Sequence, residues 1–392
     1  MLVGRLPASL CLWLLSIFTV CSSAPAVTYG QTLPHRYTSS LAFTEVAPGI
    51  EHGQVATRAS EGPLLINVLR VDLKRARLKI VRALDQGLGL ETVSSLAARH
   101  RAVAAINGGF FRTTGTYRGE STGFFLMDGK LISEPYNDRA ELGFINEGPA
   151  TDVIFGHLKY RGEISAGSAK HLVQGINRPV SPNEMILFTP EFHRTTLTNP
   201  DGVEVVVRRN TVVAVRDLTG STPIPADGFV ISAVGTARDW IKRNMRRGSR
   251  TRFWWSMSSL DPDQDAQWRR ARNILGAGPQ LIRSGKVAIT HLREKIAEAF
   301  ASDHHPRTAA GKTTDSKLLL VTVDGRQPQI SIGMSLYSLA DLLLELGAVD
   351  AINLDGGGST TMVVKQKVVN SPSDQTGERP VSDAILVFSP EK

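Results

Sequence analysis

Residues 353–360 read Asn-Leu-Asp-Gly-Gly-Gly-Ser-Thr. Three consecutive glycines forfeit conformational entropy, so they call for φ > 0 or a close approach of backbone to something else. A carboxylate (Asp355), a carboxamide (Asn353) and two hydroxyls (Ser359, Thr360) stand beside them. Such groups, next to the bare N–H groups of Gly356, Gly357 and Gly358, can handle a sugar, a phosphate or a metal. A tight turn between buried strands would use the same glycines. Two further polar corners also end apolar runs: Asn107-Gly108-Gly109 and Asp324-Gly325-Arg326. The loops around 304–311 and 371–382 add His305, Arg307, Thr308, Asp374 and Arg379. Polar groups at strand ends are held rigidly, which suits a site.

The elements that must position these corners are legible as patterns. Strands are expected at Ala102–Ile106, Leu318–Val323, Val349–Asn353 and Ala384–Phe388. Leu64–Val71 and Leu78–Ala83 read as a hairpin, as do the segments flanking Asp128-Gly129 and Arg208-Arg209-Asn210. Helices are expected at Thr92–His100, Leu336–Leu346 and His291–Ala301, with a basic helix or loop at Ala237–Arg247. An echo joins two of the units: a helix followed by Val-Ala-Ala-Ile-Asn-Gly-Gly, and a helix followed by Val-Asp-Ala-Ile-Asn-Leu-Asp-Gly-Gly. The echo suggests that Asn107 and Asn353 end neighbouring strands. Hairpins with some helix–strand alternation predict an α+β fold, one large domain of mixed β-sheets flanked by helices over residues 61–392.

The first 26 residues read as a secretory signal. Arg5 supplies a charged start, Leu10–Val20 is an apolar stretch too short to span a bilayer, and small residues follow. A lipoprotein anchor at Cys21 fits poorly with Phe18-Thr19-Val20 ahead of it. Cys11 and Cys21 both fall in this segment, so thiolate chemistry and a Cys-ligated zinc are excluded after cleavage. The signal implies export to the periplasm or outside the cell, and no transmembrane span is expected in the mature chain. Residues 27–60 read as a loosely ordered lead-in. The net charge of +8 suits anionic cell-surface polymers or phosphate-bearing substrates, or plain solubility. No aromatic stripe interleaves with the basic residues, so nucleic acid is not an expected partner.

The motifs resemble those of the phosphodiester glycosidase family. The segments that carry this are Ala105–Phe111, Gly276-Ala277-Gly278-Pro279, Pro306-Arg307-Thr308-Ala309, Asp324-Gly325-Arg326, Asn353–Thr360 and Arg379-Pro380-Val381-Ser382. Ala277 departs mildly from a third glycine, and residues 150–260 carry no matching motif. The resemblance implies an exported hydrolase that cleaves a sugar-1-phosphodiester at the anomeric carbon. The leaving phosphate monoester has a second pKa near ~6 and needs no strong acid. The site then needs a phosphate clamp, for which Arg307, Arg326 and Arg379 are candidates. Glycine N–H groups at 356–358 add an anion nest. Asp355 is the first candidate for the catalytic carboxylate, with Glu120, Asp324 and Asp374 behind it. Asn107 and Asn353 would bind sugar hydroxyls, Gly108, Gly109, His305 and Thr308 would line the substrate, and Ser359 and Thr360 would hold the turn or touch phosphate.

No cofactor is required by this chemistry, although Asp355 and backbone oxygens are compatible with a Ca²⁺ or Mg²⁺ ion. The expected partner is a sugar-phosphate or an anionic glycopolymer. The competing reading is a non-catalytic envelope protein that binds carbohydrate during exopolysaccharide assembly. It uses the glycines and arginines but does not need Asp355.

Overall fold

The polar corners meet because the strands that carry them belong to two sheets sharing one core. The computed structural model describes residues 36–136, 138–148 and 150–389. The expected signal segment, with both cysteines, lies outside these residues. One sheet of eight strands runs in the order Phe43–Ala47, Ile50–Arg58, Pro63–Asp72, Lys317–Val323, Arg307–Thr313, Ala348–Asn353, Gln280–Arg283, Lys286–Val287. A five-stranded sheet runs Lys367–Val368, Met362–Val364, Ala104–Asn107, Asp383–Phe388, Arg77–Arg82. Leu69, Leu320 and Ile352 of the first sheet share a buried cluster with Ile106, Met362 and Ile385 of the second. Alternating side chains fill the space between the two sheets.

Residues 125–276 and 175–233 supply the remaining two sheets. The strand Ala150–Ala166 is long enough to pair with Ala140–Glu147 along its first half and with Ala169–Val173 and Thr251–Ser259 along its second. The α+β expectation holds, with strands dominant. Nearly all pairing is antiparallel, and one short pair, Gly175–Ile176 with Met185–Phe188, is parallel.

The helices follow their caps. Val93–Arg99 starts at Thr92, whose side chain accepts from Ser95 N, and Leu336–Glu345 starts at Ser335, which accepts from Ser338 N. The longer one buries Leu336, Leu339, Ala340, Leu342 and Leu343 against the eight-stranded sheet. The basic stretch forms the helix Gly235–Asn244, and two of its cations are spent internally, Arg238 and Lys242 both pairing with Asp217.

Three expectations are corrected. Residues 43–58 are not a loose lead-in but form an edge strand, Phe43–Ala47, and its neighbour Ile50–Arg58, which is fastened to Pro63–Asp72 over a nine-residue register. Pro63–Asp72 and Arg77–Arg82 are not a hairpin. Leu73 drops into the core between them, the first strand pairs with Lys317–Val323, and the second pairs with Asp383–Phe388. The stretch 291–301 is mostly turns, because Lys295 sits at φ 55° and the helix spans only Glu298–Ser302.

Leu354 immediately precedes Asp355 and is fully buried in the shared core. Leu354→Ala is expected to cost about 2–5 kcal/mol. A urea titration should show a lowered midpoint at unchanged slope.

Candidate active site

The loop 354–361 crosses from one sheet to the other, and Asn107 holds it there. Asn353 ends its strand opposite Ala309, while Asn107 ends its own opposite Ala384. Asn107 is completely buried. Its Nδ2 donates to the Asp355 carbonyl at 2.6 Å, and its Oδ1 accepts from Thr361 N at 3.1 Å and Thr308 Oγ1 at 2.9 Å. Asp355 N in turn donates to Gly108 O at 3.2 Å. The two strand ends therefore converge on the loop, although their strands belong to different sheets and are not sheet neighbours.

The same bonds correct the expected roles of both asparagines. Asn353 Nδ2 donates to Gly278 O at 2.9 Å and Leu354 O at 2.7 Å, so it too is an internal brace and not a sugar ligand. Thr308 and Thr360 are buried, their hydroxyls 3.3 Å apart, and serve the same frame. Gly108 and Gly109 are glycines for packing. A Cβ at 108 would fall 2.1 Å from Asp383 Oδ1, and one at 109 would fall 2.6 Å from Gly276 O.

In front of this frame lies a cleft of about 240 Å³ lined by Phe300, His305, Pro306, Arg307, Arg326, Asp355, the three glycines and Arg379. The glycines make room for cations. A Cβ at Gly358 would fall 2.3 Å from Arg379 Nη2, and one at Gly357, where φ is 61°, would fall 3.1 Å from Arg326 Nη2. The expected nest of three N–H groups is not what the loop presents. Gly357 N donates to Pro306 O at 2.9 Å, and the Gly356 N–H favours the ionised Asp355 carboxyl.

The three arginines differ in how far they are committed. Arg307 is 1% exposed, with Nε on Met334 O at 2.7 Å and Nη2 on Phe300 O and Asp303 O. Burial pulls its pKa down to about 10, so it remains a fixed positive charge at neutral pH. Arg379 is aimed by Asp374, with Nε 2.7 Å from Oδ2. Arg326 is exposed and, among the described residues, makes no hydrogen bond or ion pair. It is the guanidinium free to take an anion. His305 is held below its ordinary value by burial and then by Arg307 and Arg326, which makes it a neutral imidazole at pH 7.

Asp355 is the carboxylate that faces the cleft. Burial pushes its pKa up to about 7, against the pull of the Ser359 hydroxyl, Arg379 and the Gly356 N–H. Nearby Asp383 pushes it further up. The Ser359 hydroxyl is fully buried and finds no well-formed partner, so it stands ready to bond whichever carboxyl form is present. The second-choice carboxylates are corrected. Asp374 serves Arg379, which holds its carboxyl below the usual range. Asp324 is 1% exposed and clasps the loop after the last short strands, accepting from Asn370 Nδ2 at 2.8 Å and Ser371 N at 2.7 Å. Glu120 is buried beside Arg112, 3.0 Å from its Nε, and Arg112 lines a different, larger cleft of about 390 Å³.

Two residues were missed by the sequence reading. Asp383 is 1% exposed, accepts from Gly109 N at 2.8 Å and Ser382 Oγ at 2.5 Å, and stands behind Asp355. An acid opening the apolar run 383–388 was the available signal. Arg139 stacks on Phe110 at 4.7 Å and feels the charge of Asp355, and no motif marked it. Among the described residues, no group of three or more His, Cys, Asp or Glu side chains is placed to hold a metal.

Comparison with known proteins gives a consistent picture. Residues 201–388 match the phosphodiester glycosidase family, a span that includes Arg307, Arg326, Asp355 and Arg379. The resemblance read from the motifs is thereby shown over these residues, with Ala105–Phe111 outside the match, and it supports a glycosidase role at the level of the family. Bovine N-acetylglucosamine-1-phosphodiester alpha-N-acetylglucosaminidase is 34% identical over 125 residues, covering 28% of this chain and 23% of that protein. The SPbeta prophage-derived uncharacterized protein YomE of Bacillus subtilis is 35% identical over 121 residues, covering 31% of this chain and 18% of that one. The chain thus spans about a fifth of the length of these curated relatives. A solved structure from Burkholderia pseudomallei, of a protein named for its expected export, superposes with a TM-score of 0.73 at 27% identity over 83% of this chain and 74% of that one. A hypothetical protein from Synechocystis shares the fold, with a TM-score of 0.74 at 24% identity over 89% of this chain and 64% of that one.

The raised Asp355 value has a consequence for stability. The folded state binds a proton between the ordinary value of 3.8 and about 7 that the unfolded state has lost. Stability contributed by this group therefore falls as pH rises through that window. Thermal midpoints measured from pH 4 to 8 should decline less steeply in Asp355→Asn than in wild type.

Proposed function

We propose, on the premise of a phosphodiester glycosidase domain over residues 201–388, that the protein is an exported hydrolase cleaving a sugar-1-phosphodiester at the anomeric carbon. The observation that carries this reading is the pairing, within one small cleft, of the titrating carboxyl of Asp355 with the unpaired guanidinium of Arg326 and the Asp374-aimed guanidinium of Arg379. The two guanidiniums take the phosphate oxygens, and Arg307 adds a fixed charge from the back wall. His305, neutral, offers a hydrogen bond to the sugar or the phosphate, and the Phe300 ring gives the sugar an apolar surface.

The bond that breaks joins the anomeric carbon to the bridging oxygen, and its electron pair leaves on the phosphate. The cations stabilise the charge that accumulates there, which is where such preorganised groups act most strongly. Water attacks the anomeric carbon and gives its proton to Asp355, which returns it to solvent. A base with a pKa near the working pH is well matched to that task. Asp383, with both oxygens occupied by Gly109 N and Ser382 Oγ, holds the frame and raises the basicity of Asp355. Export agrees with the signal-like first 26 residues and with the Burkholderia neighbour.

Two outcomes test the reading, both measured with a panel of sugar-1-phosphodiesters. Asp355→Asn should lower kcat by at least about 100-fold, and the wild-type rate should rise as Asp355 ionises around pH 7. Equal turnover by the variant removes Asp355 from the chemistry. Arg326→Ala should raise KM by about tenfold or more, since a charge-assisted bond to phosphate is lost. Its melting temperature should stay unchanged, because Arg326 makes no hydrogen bond or ion pair among the described residues.

A further inference from the structure

The sheet around Ala150–Ala166 builds a second surface with a composition of its own. Ala150–Ala166 is flanked on one side by Ala169–Val173 and on the other by Thr251–Ser259, and directly paired residues share a face. On the inner face lie Ile164, Phe253, Trp255 and Met257, packed on the core. The outer face reads, row by row, Leu172–Glu163–Trp254, Lys170–Ser165–Arg252, Arg161–Ser256 and Lys159–Ser258.

Four cations therefore stand on one flat face against the single carboxylate of Glu163. The Arg161 and Lys170 side chains are 62% and 64% exposed, and Lys159 and Arg252 are exposed and make no ion pair among the described residues. In their midst Trp254 is 37% exposed, and its Nε1 donates to Glu163 Oε1 at 3.1 Å, which fixes the ring. Lys170 Nζ is 3.1 Å from the same carboxylate oxygen, so the ring and two of the cations are organised around one acid. The face runs about 20 Å along the strands from Lys159 to Ser165, long enough to lie beside several sugar rings.

We propose that this face binds an anionic polysaccharide, separately from the Asp355 cleft. The indole takes the apolar face of one sugar ring, the flanking cations take acidic groups on either side, and the hydroxyls of Ser165, Ser256 and Ser258 bond sugar hydroxyls. Charge complementarity selects an acidic chain over a neutral one. Single-stranded nucleic acid is the other polyanion to consider, and platforms for it stack successive bases on several aromatics. Here one exposed indole stands among serines, which suits a carbohydrate.

The test is binding of polygalacturonate, by calorimetry and by retardation in affinity gels, with dextran and single-stranded DNA run in parallel. Wild type should bind polygalacturonate but not dextran, and binding should weaken as salt is raised. Trp254→Ala and the pair Arg161→Glu/Lys170→Glu should each weaken it at least about fivefold, a loss on the order of 1 kcal/mol. Their circular dichroism should match wild type, while their melting temperatures should fall modestly because Glu163 loses partners, so binding is compared well below the transition. Asp355→Asn should bind as wild type does, so failure of the catalytic reading leaves this one standing. No binding by wild type, unchanged binding by both face variants, or DNA bound as tightly with the same dependence on Trp254 would overturn the proposal.

Discussion

Everything in the cleft depends on one buried side chain spanning two sheets. Asn107 belongs to the five-stranded sheet, yet its carboxamide holds the Asp355 carbonyl, Thr361 N and Thr308 Oγ1, which belong to the loop and to the eight-stranded sheet. A buried amide left without partners costs about 1–3 kcal/mol, so the loop has strong reason to keep this one path. The glycines then follow as a geometric requirement. Gly108 lets the backbone lie on Asp383, and Gly357 and Gly358 let two guanidiniums lie on the loop. Side chains in those places would displace either the carboxylate support or the cations.

The electrostatics of the cleft follow from that packing. A carboxyl pressed into protein loses hydration and its pKa rises, while nearby cations and hydrogen-bond donors oppose the rise. For Asp355 desolvation is the larger effect, and the balance lies near neutrality. The same desolvation acts on Asp324 and Glu120, raised to about 6 and about 7, but neither faces this cleft. Perturbed acids alone therefore do not locate the site. The proposed site rests instead on the conjunction of a perturbed acid, an opening and an arginine with no ion pair among the described residues.

Much of this was legible in the chain. The strand ends at Asn107 and Asn353, the glycine loop between apolar strands, and the helices expected near 92–100 and 336–346 all stand where their local patterns put them. What was not legible is which polar residues face inward. Asn107, Asn353, Thr308 and Asp324 have the same chemistry whether they bind a sugar or brace a loop, and only long-range pairing decides between those roles. The supposed hairpin of 64–83 failed for the same reason. Its two strands are adjacent in sequence, but their partners lie some 250–300 residues away, at Lys317–Val323 and Asp383–Phe388. Asp383 escaped notice because it opens an apolar strand, where an acid reads as an edge and not as a buried support.

The central claim is cleavage between the anomeric carbon and oxygen. Hydrolysis of a sugar-1-phosphodiester in ¹⁸O-labelled water tests it most directly, with the products separated and weighed by mass spectrometry. The account predicts the label in the released sugar and none in the phosphate monoester. Label in the phosphate would mean attack at phosphorus and would contradict it.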